Sequence, residues 1–411
     1  ARSVGYAVVK KPEGYTTAKV DQIIQEYEKK SANAQQSTAK QYPNIITVVN
    51  ETFADIKVLG NFKTNEDYMP YFHSLKKNCV TGYTYASIVG GQTANTEFEL
   101  LTGNTLGFLS AGTTAFQLYI HGQMPSLVSN LKAEGYSGNK AMHPFNPYNY
   151  NRPAVYKDFG FTDFIDKFDF PKNVKRVREY ISDEANVDRI ISEYEKNRKK
   201  TDQPFYMYNM TIQNHSPYDK DAANFKQPIK IESSKYDAEA NRYLNLIKYS
   251  DDSLKQLTGY FEKCKEPTII LFLGDHQPRL TDEFMNKITN GQYQTWSSEQ
   301  MMKRYQVPFV IWANYDIKEQ HIEKTSMNYI QSILTKTAGV KMTGYQRFLN
   351  EVRKEVPTIT SQGYWGKNGK FYQINDKGSP YYGIIQKYRM IQYNMMFDKK
   401  NRRDSFFEVS K

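Results

Sequence analysis

The chain has 411 residues, of which 39% are hydrophobic and 14% aromatic, including 33 tyrosines. This length suits one large α/β domain with appendages, and this content of large apolar rings excludes a disordered chain. With 55 Lys and Arg against 44 Asp and Glu, the net charge of +11 favours an anionic partner, but it is dispersed and no nucleic-acid motif accompanies it, so an anionic membrane surface or a teichoic-type polymer is expected and nucleic acid is not.

No apolar run approaches the roughly 20 residues of a membrane span; the longest is TIILFLG at 268–274. The chain opens on Ala1 without a basic-then-apolar leader, so its natural N-terminus is expected to lie upstream. Residues 1–40 are expected to form a linker and a surface helix, the latter over 16–36. NIITVVNE at 44–51 is a β-branched run ending in a carboxylate, which predicts a buried parallel strand with Glu51 at its carboxyl end, where open α/β sheets gather ligands. A helix near 68–77, a strand over 80–87, a helix from about 93 and another over SLVSNLKAEG continue the alternation, which predicts a doubly wound, mostly parallel sheet flanked by helices. PFYMYNMTIQNHSP at 204–217 and PTIILFLGDHQP at 267–278 read as core strands that each deliver a histidine. VPFVIWAN at 307–314 predicts a further strand, followed by a helix near 326–337. This central unit spans 41–345. From 346 to 411 a small C-terminal α+β subdomain is expected: a hairpin turning at Asn368 and Gly369, then a helix near 380–397. Cys79 and Cys264 form neither CxxC nor a metal-binding spacing, and whether they pair stays open.

Three segments carry chemistry. In GDHQP, Asp275 and His276 leave a strand end together and offer an oxygen and an imidazole nitrogen to one cation, although such a pair also suits a turn with a capping Asp. Glu51 holds the equivalent place on another strand, where a carboxylate either faces water or meets a cation. In GGQTANTEFELLTG at 90–103, Gly90 and Gly91 permit close backbone approach, and Thr93 sits where an amphipathic helix begins. Alone, Thr93 reads as an N-cap; beside a metal ion, its hydroxyl becomes a nucleophile, with the helix start favouring negative charge on a phosphoryl group.

The order of a strand-end Glu, GQT-x-x-x-EF, NHSP and GDH, over roughly residues 43–345, resembles the lipoteichoic acid synthases, phosphoglycerol transferases of the sulfatase and alkaline-phosphatase superfamily. The resemblance implies that Glu51, Thr93, Asp275 and His276 hold a single Mn²⁺-type ion and that Thr93 is the nucleophile. It further implies that His143, Tyr150 and Arg152 in HPFNPYNYNR contact glycerol phosphate, and that His215 of NHSP lies beside the nucleophile, binding substrate and assisting proton transfer. Tyr150 replaces the family's usual Trp, and QPRL follows GDH in place of a YG-containing loop. These departures favour the branch resembling streptococcal enzymes that decorate a cell-wall polysaccharide with glycerol phosphate. The resemblance implies a phosphatidylglycerol donor, a cell-wall polysaccharide or teichoic-type acceptor, and a place on the extracellular face of the membrane as the soluble domain of a polytopic protein. A lipoteichoic acid polymerase, a phosphoethanolamine transferase and a catalytically silent glycopolymer-binding domain are the alternatives. Sulfate-ester hydrolysis is disfavoured because neither cysteine lies in C/S-x-P-x-R, and a two-metal site because no His follows an acid at four positions.

Overall fold

The computed structural model describes residues 9–34 and 39–409. Thirteen strands occur along it: β1 (Asn44–Asn50), β2 (Cys79–Tyr85), β3 (Ser137–Met142), β4 (Asp163–Ile165), β5 (Arg176–Val177), β6 (Tyr180–Ile181), β7 (Phe205–Met210), β8 (Thr268–Gly274), β9 (Gln306–Ala313), β10 (Gln320–Ser326), β11 (Thr358–Thr360), β12 (Gly363–Trp365) and β13 (Phe371–Tyr372). Eight of them form one sheet in the order β10-β2-β9-β8-β1-β7-β3-β4. Only β9 runs antiparallel to its neighbours in that sheet; every other pairing is parallel.

The centre of the sheet follows from its side chains. Every residue of β1, β7 and β8 is buried, as expected for strands covered on both faces. Alternation sends Ile45, Val49, Leu271 and Leu273 into one apolar cluster and Ile46, Val48, Ile270 and Phe272 into another. The first cluster is closed by the helices Thr93–Thr102, Leu127–Ala133 and Met327–Ala338, the second chiefly by Asp183–Lys200 and Ala238–Glu262. Burying each such aliphatic chain contributes roughly 1.5–3 kcal/mol.

The N-terminal helix is Thr17–Lys30, followed by a 3₁₀ turn at Ala32–Ala34; positions 35 and 36 of the expected helix, and residues 1–8 of the expected linker, lie outside the described residues. The helix is less superficial than its polar sequence implies, since Val20, Ile23 and Tyr27 are buried among Phe348, Tyr388 and Ile391 of the C-terminal region. That region has the expected hairpin, β12 against β13 with Gly369 at φ 79°, and a helix at Tyr382–Phe397. Its apolar side chains join the cluster that covers one face of the large sheet. Cys79 and Cys264 are both free thiols. Among the described residues, no helix is long and apolar enough to cross a membrane.

One buried acid makes the fold sensitive to pH. Glu99 accepts hydrogen bonds from Ser87 Oγ and the Leu106 N–H, each at 3.0 Å, and Ser87 Oγ in turn accepts one from the Ser361 N–H of the C-terminal region. Burial pushes the Glu99 carboxyl up from 4.5 to about 8, against the lowering effect of these donors. A carboxyl whose pKa rises on folding favours the native state while protonated, so its contribution is complete below the unfolded value and is lost as pH climbs through about 8. The Glu99→Gln variant is expected to flatten the decline in Tm between about pH 5 and 8; an unaltered slope in thermal scans would remove Glu99 as its source.

Candidate metal centre and active site

The register between β1 and β8 sets Asn50 opposite Gly274, so the next residues, Glu51 and Asp275, leave the sheet side by side. Gly274 makes this crossing possible: a Cβ there would stand 1.8 Å from the Phe53 carbonyl oxygen, which no side chain tolerates. The turn is then pinned from both strands. Thr52, with φ 53°, donates its N–H to Asp275 Oδ1 at 2.7 Å, and the Glu51 N–H donates to Thr211 Oγ1 at 2.8 Å.

His276 is oriented by its backbone. Its N–H donates to Asp275 Oδ1 at 2.8 Å, and its Nδ1 lies 2.8 Å from the Gln277 carbonyl. A carbonyl only accepts, so Nδ1 carries the proton and the Nε2 lone pair faces inward, 3.2 Å from Asp275 Oδ2 and 3.7 Å from Glu51 Oε1.

Thr93 is the first residue of its helix, not the cap; Gln92 holds the cap position at φ 59° and makes no side-chain cap bond. The threonine hydroxyl turns away from the helix backbone. It donates to Asp275 Oδ2 at 2.9 Å and lies 3.4 Å from Glu51 Oε2 and 3.5 Å from His276 Nε2. One turn on, Thr96 Oγ1 donates to the Asp275 carbonyl at 2.8 Å, which ties the helix start to the end of β8. Of the two preceding glycines, Gly90 is sterically required, with φ +73° and Arg279 Cγ 2.3 Å from where its Cβ would be; a Cβ on Gly91 meets nothing within 4 Å.

These residues fit a divalent cation. One ligand atom each from Glu51, Asp275 and His276 can be chosen so that all lie within 4.8 Å of one another. Both carboxylates are buried, and among the described residues neither pairs with a Lys or Arg; their only ion-pair neighbour is His276. Burial, then the adjacent Asp275 charge, raises the Glu51 carboxyl well above its usual range. Two buried acids with an inward imidazole lone pair and a hydroxyl make an oxygen and nitrogen donor set suited to a divalent cation.

Above this cluster opens a cavity of about 380 Å³ whose lining includes Glu51, Thr93, His143, Tyr150, Arg152 and His215. Sequence-distant segments thus converge on one space, with Asp275 and His276 behind its floor. Arg152 begins the helix Arg152–Phe159 and is only 2% exposed. Its Nε and Nη2 donate to Glu97 Oε2 at 3.2 and 2.8 Å, and its guanidinium lies 5.2 Å from the Tyr150 ring centroid. Tyr150 and Asn151, at φ 59° and 57°, both occupy left-handed backbone, a strain of order 1–3 kcal/mol each that sets the Arg152 approach. His143 Nδ1 contacts the Met210 carbonyl at 2.8 Å, so its Nε2 is an acceptor; burial, then Arg152 and His215, holds the ring well below its usual pKa and therefore neutral. His215 is exposed, stacked at 26° on Phe145, with Nδ1 2.6 Å from the Ser216 carbonyl. Arg178 braces that loop by donating to the carbonyls of Gln213, His215 and Pro217, each at 2.8 Å.

Glu97 was not among the residues singled out from the sequence, although it is the acid of GQTANTEF. It takes Arg152 on Oε2 and the hydroxyls of Tyr156 and Tyr208 on Oε1. The signal was its spacing: four residues after Thr93 places it on the same helix face.

The profile of the sulfatase family matches residues 43–340. A Rhizobium meliloti (strain 1021) protein named for cyclic β-1,2-glucan modification is 31% identical over 380 residues, covering 90% of this chain and 57% of that protein. The lipoteichoic acid synthase-like YvgJ of Bacillus subtilis (strain 168) is 27% identical over 240 residues, 57% of this chain and 36% of that protein. The chain thus spans about half the length of such relatives, or less. In fold it matches the Streptococcus pyogenes phosphoglycerol transferase GacH in complex with sn-glycerol-1-phosphate, with a TM-score of 0.78 at 20% identity over 98% of this chain and 100% of that one. It also matches the lipoteichoic acid synthase LtaP from Listeria monocytogenes, with a TM-score of 0.64 at 19% identity over 95% and 97% of the two chains. With the family profile running from the start of β1 past the helix Met327–Ala338, the chain belongs to the sulfatase family.

Proposed function

We propose that the chain is the catalytic part of a phosphoglycerol transferase that moves the glycerol phosphate headgroup of phosphatidylglycerol, through a Thr93-linked intermediate, onto a cell-wall polysaccharide. The observation that carries this reading is the Thr93 hydroxyl, 2.9 Å from Asp275 Oδ2 and within 3.5 Å of Glu51 and His276, at the floor of a cavity that also presents Arg152. The names of the relatives support it: a phosphoglycerol transferase, lipoteichoic acid synthases and a glucan-modification protein. Residues 41–345 form the catalytic unit in this reading, with 1–40 and 346–411 appended, and the whole protein works on the extracellular face of the membrane.

Glu51, Asp275, His276 and Thr93 Oγ1 would hold the divalent ion, Mn²⁺ in this reading, whose charge favours the Thr93 alkoxide and offsets negative charge on the phosphoryl oxygens. Arg152, fixed by Glu97, offers its remaining donors to a phosphate oxygen, and the His143 Nε2 acceptor takes a glycerol hydroxyl. The Thr93 proton passes to His215 as Thr93 Oγ1 bonds to phosphorus and the bond from phosphorus to the diacylglycerol oxygen breaks. His215 gives that oxygen a proton, and diacylglycerol departs as an alcohol. In the second half, an acceptor hydroxyl gives its proton to His215, its oxygen bonds to phosphorus, and the bond from Thr93 to phosphorus breaks as His215 passes that proton back to Thr93 Oγ1.

The test is diacylglycerol release from vesicles of phosphatidylglycerol or phosphatidylethanolamine with Mn²⁺, with and without EDTA. Release from phosphatidylglycerol is expected, and a loss of roughly 10²-fold or more on chelation. Preference for phosphatidylethanolamine would favour a phosphoethanolamine transferase, and release that ignores EDTA would end the metal-assisted reading.

A further inference from the structure

A second cavity, about 330 Å³, adjoins the nucleophile loop, and Gly91 and Gln92 line both it and the first. We propose that this second cavity is the acceptor subsite and that it takes a neutral, hydroxyl-rich sugar unit of a glycan; the inference rests on the transferase reading above.

Its chemistry is unlike that of the first cavity. The polar residues lining it include Gln92, Ser110, Thr113, Arg279, Ser361 and Gln362, and among the described residues no carboxylate lines it. Hydroxyl and amide groups both donate and accept, as sugar hydroxyls do. Among the described residues, Arg279 is the sole charged residue of the lining. A site for a phosphate polymer calls for several cations, as charge-assisted contacts to each phosphate would require; one guanidinium among neutral groups suits vicinal hydroxyls. The cavity also falls in the size range of small-molecule sites.

Arg279 itself is placed for this task. It is exposed, and among the described residues no hydrogen bond or ion pair engages it, although a free guanidinium has five donors. Its stem lies along Gly90, with Cγ and Nε 2.3 and 2.9 Å from the position a Cβ would take there. The missing side chain of Gly90, three residues before the nucleophile, is therefore the seat of Arg279. Ser361 links the far wall to the fold, since its N–H and hydroxyl bind Ser87 at 3.0 and 2.8 Å. The C-terminal region thus contributes to the second cavity through Ser361 and Gln362, whereas no described residue beyond 216 lines the first. A sugar seated there needs only to reach over Gly91 and Gln92 to bring a hydroxyl to phosphorus held by Thr93.

Glycan binding can be separated from turnover in the Thr93→Ala background loaded with Mn²⁺. A β-1,2-glucan oligosaccharide and a polyglycerol phosphate oligomer are titrated by NMR, with sn-glycerol-1-phosphate as the probe of the first cavity. The oligosaccharide is expected to bind, and its Kd to rise about tenfold or more when Arg279→Ala removes charged hydrogen bonds or Ala111→Trp fills the cavity, with the Kd of sn-glycerol-1-phosphate moved less than about twofold, as expected for a separate site. An oligosaccharide Kd indifferent to both substitutions, or binding of the polyglycerol phosphate alone, would overturn the proposal. Failure of the wild-type protein to release diacylglycerol would instead strike the transferase reading, because this titration needs no donor cleavage.

Discussion

The Thr93→Ala variant is expected to lose turnover by roughly 10⁴-fold or more while keeping its fold and its ion, as removal of a nucleophile does elsewhere. Three ligand groups, Glu51, Asp275 and His276, remain in that variant, and the Thr93 hydroxyl supports no helix cap. Thermal stability and Mn²⁺ affinity should therefore change little beside the loss of rate. Thr93→Ser retains an oxygen at the same position and should recover a measurable part of the activity. Full diacylglycerol release by Thr93→Ala, measured under the conditions used for the wild type, would contradict the nucleophile assignment.

The second large effect concerns the residue behind the substrate cavity. Glu97 is fully buried and holds Arg152, itself 2% exposed, at 2.8 Å. Glu97→Ala leaves that guanidinium buried without a counter-charge, a change that costs about 3–5 kcal/mol, and it strips Tyr156 and Tyr208 of their acceptor. A Tm lower by many degrees is expected, together with a weaker hold on phosphate because Arg152 is no longer aimed. Glu97→Gln preserves the shape and one acceptor and should fall between the two. Calorimetry separates the readings: a Glu97→Ala protein as stable as wild type would show that the pair contributes nothing net to the fold.

The central strands were legible because β1 and β8 are continuous apolar runs that end in polar loops, the mark of strands buried on both faces. The polar strands away from the centre were not. β3 is SGNKAM and β10 is QHIEKTS, polar segments whose place in the sheet is set by tertiary pairing with β7 and β2. The helices Asp183–Lys200 and Ala238–Glu262 were missed for a related reason: their buried faces mix apolar residues such as Ile190 and Leu254 with polar ones such as Asp183, Glu193, Asn245 and Asp251, which blurs the apolar periodicity. At the site, sequence order pointed to Glu51, Thr93, Asp275 and His276, and the β1–β8 register explains how two of them come to be neighbours. Glu97 escaped notice because a helical acid ordinarily faces solvent, and its burial depends on Arg152, Tyr156 and Tyr208 arriving from other segments. The C-terminal wall of the second cavity was hidden too, since nothing local to Ser361 and Gln362 reveals that they lie near the nucleophile loop.

The most direct measurement is peptide mass spectrometry on the protein quenched with acid after incubation with phosphatidylglycerol and Mn²⁺. A mass increase of one glycerophosphoryl group on the peptide carrying Thr93, absent when EDTA is added, is the predicted result. Turnover with that peptide persistently unmodified, or with the adduct on another residue, would contradict the account.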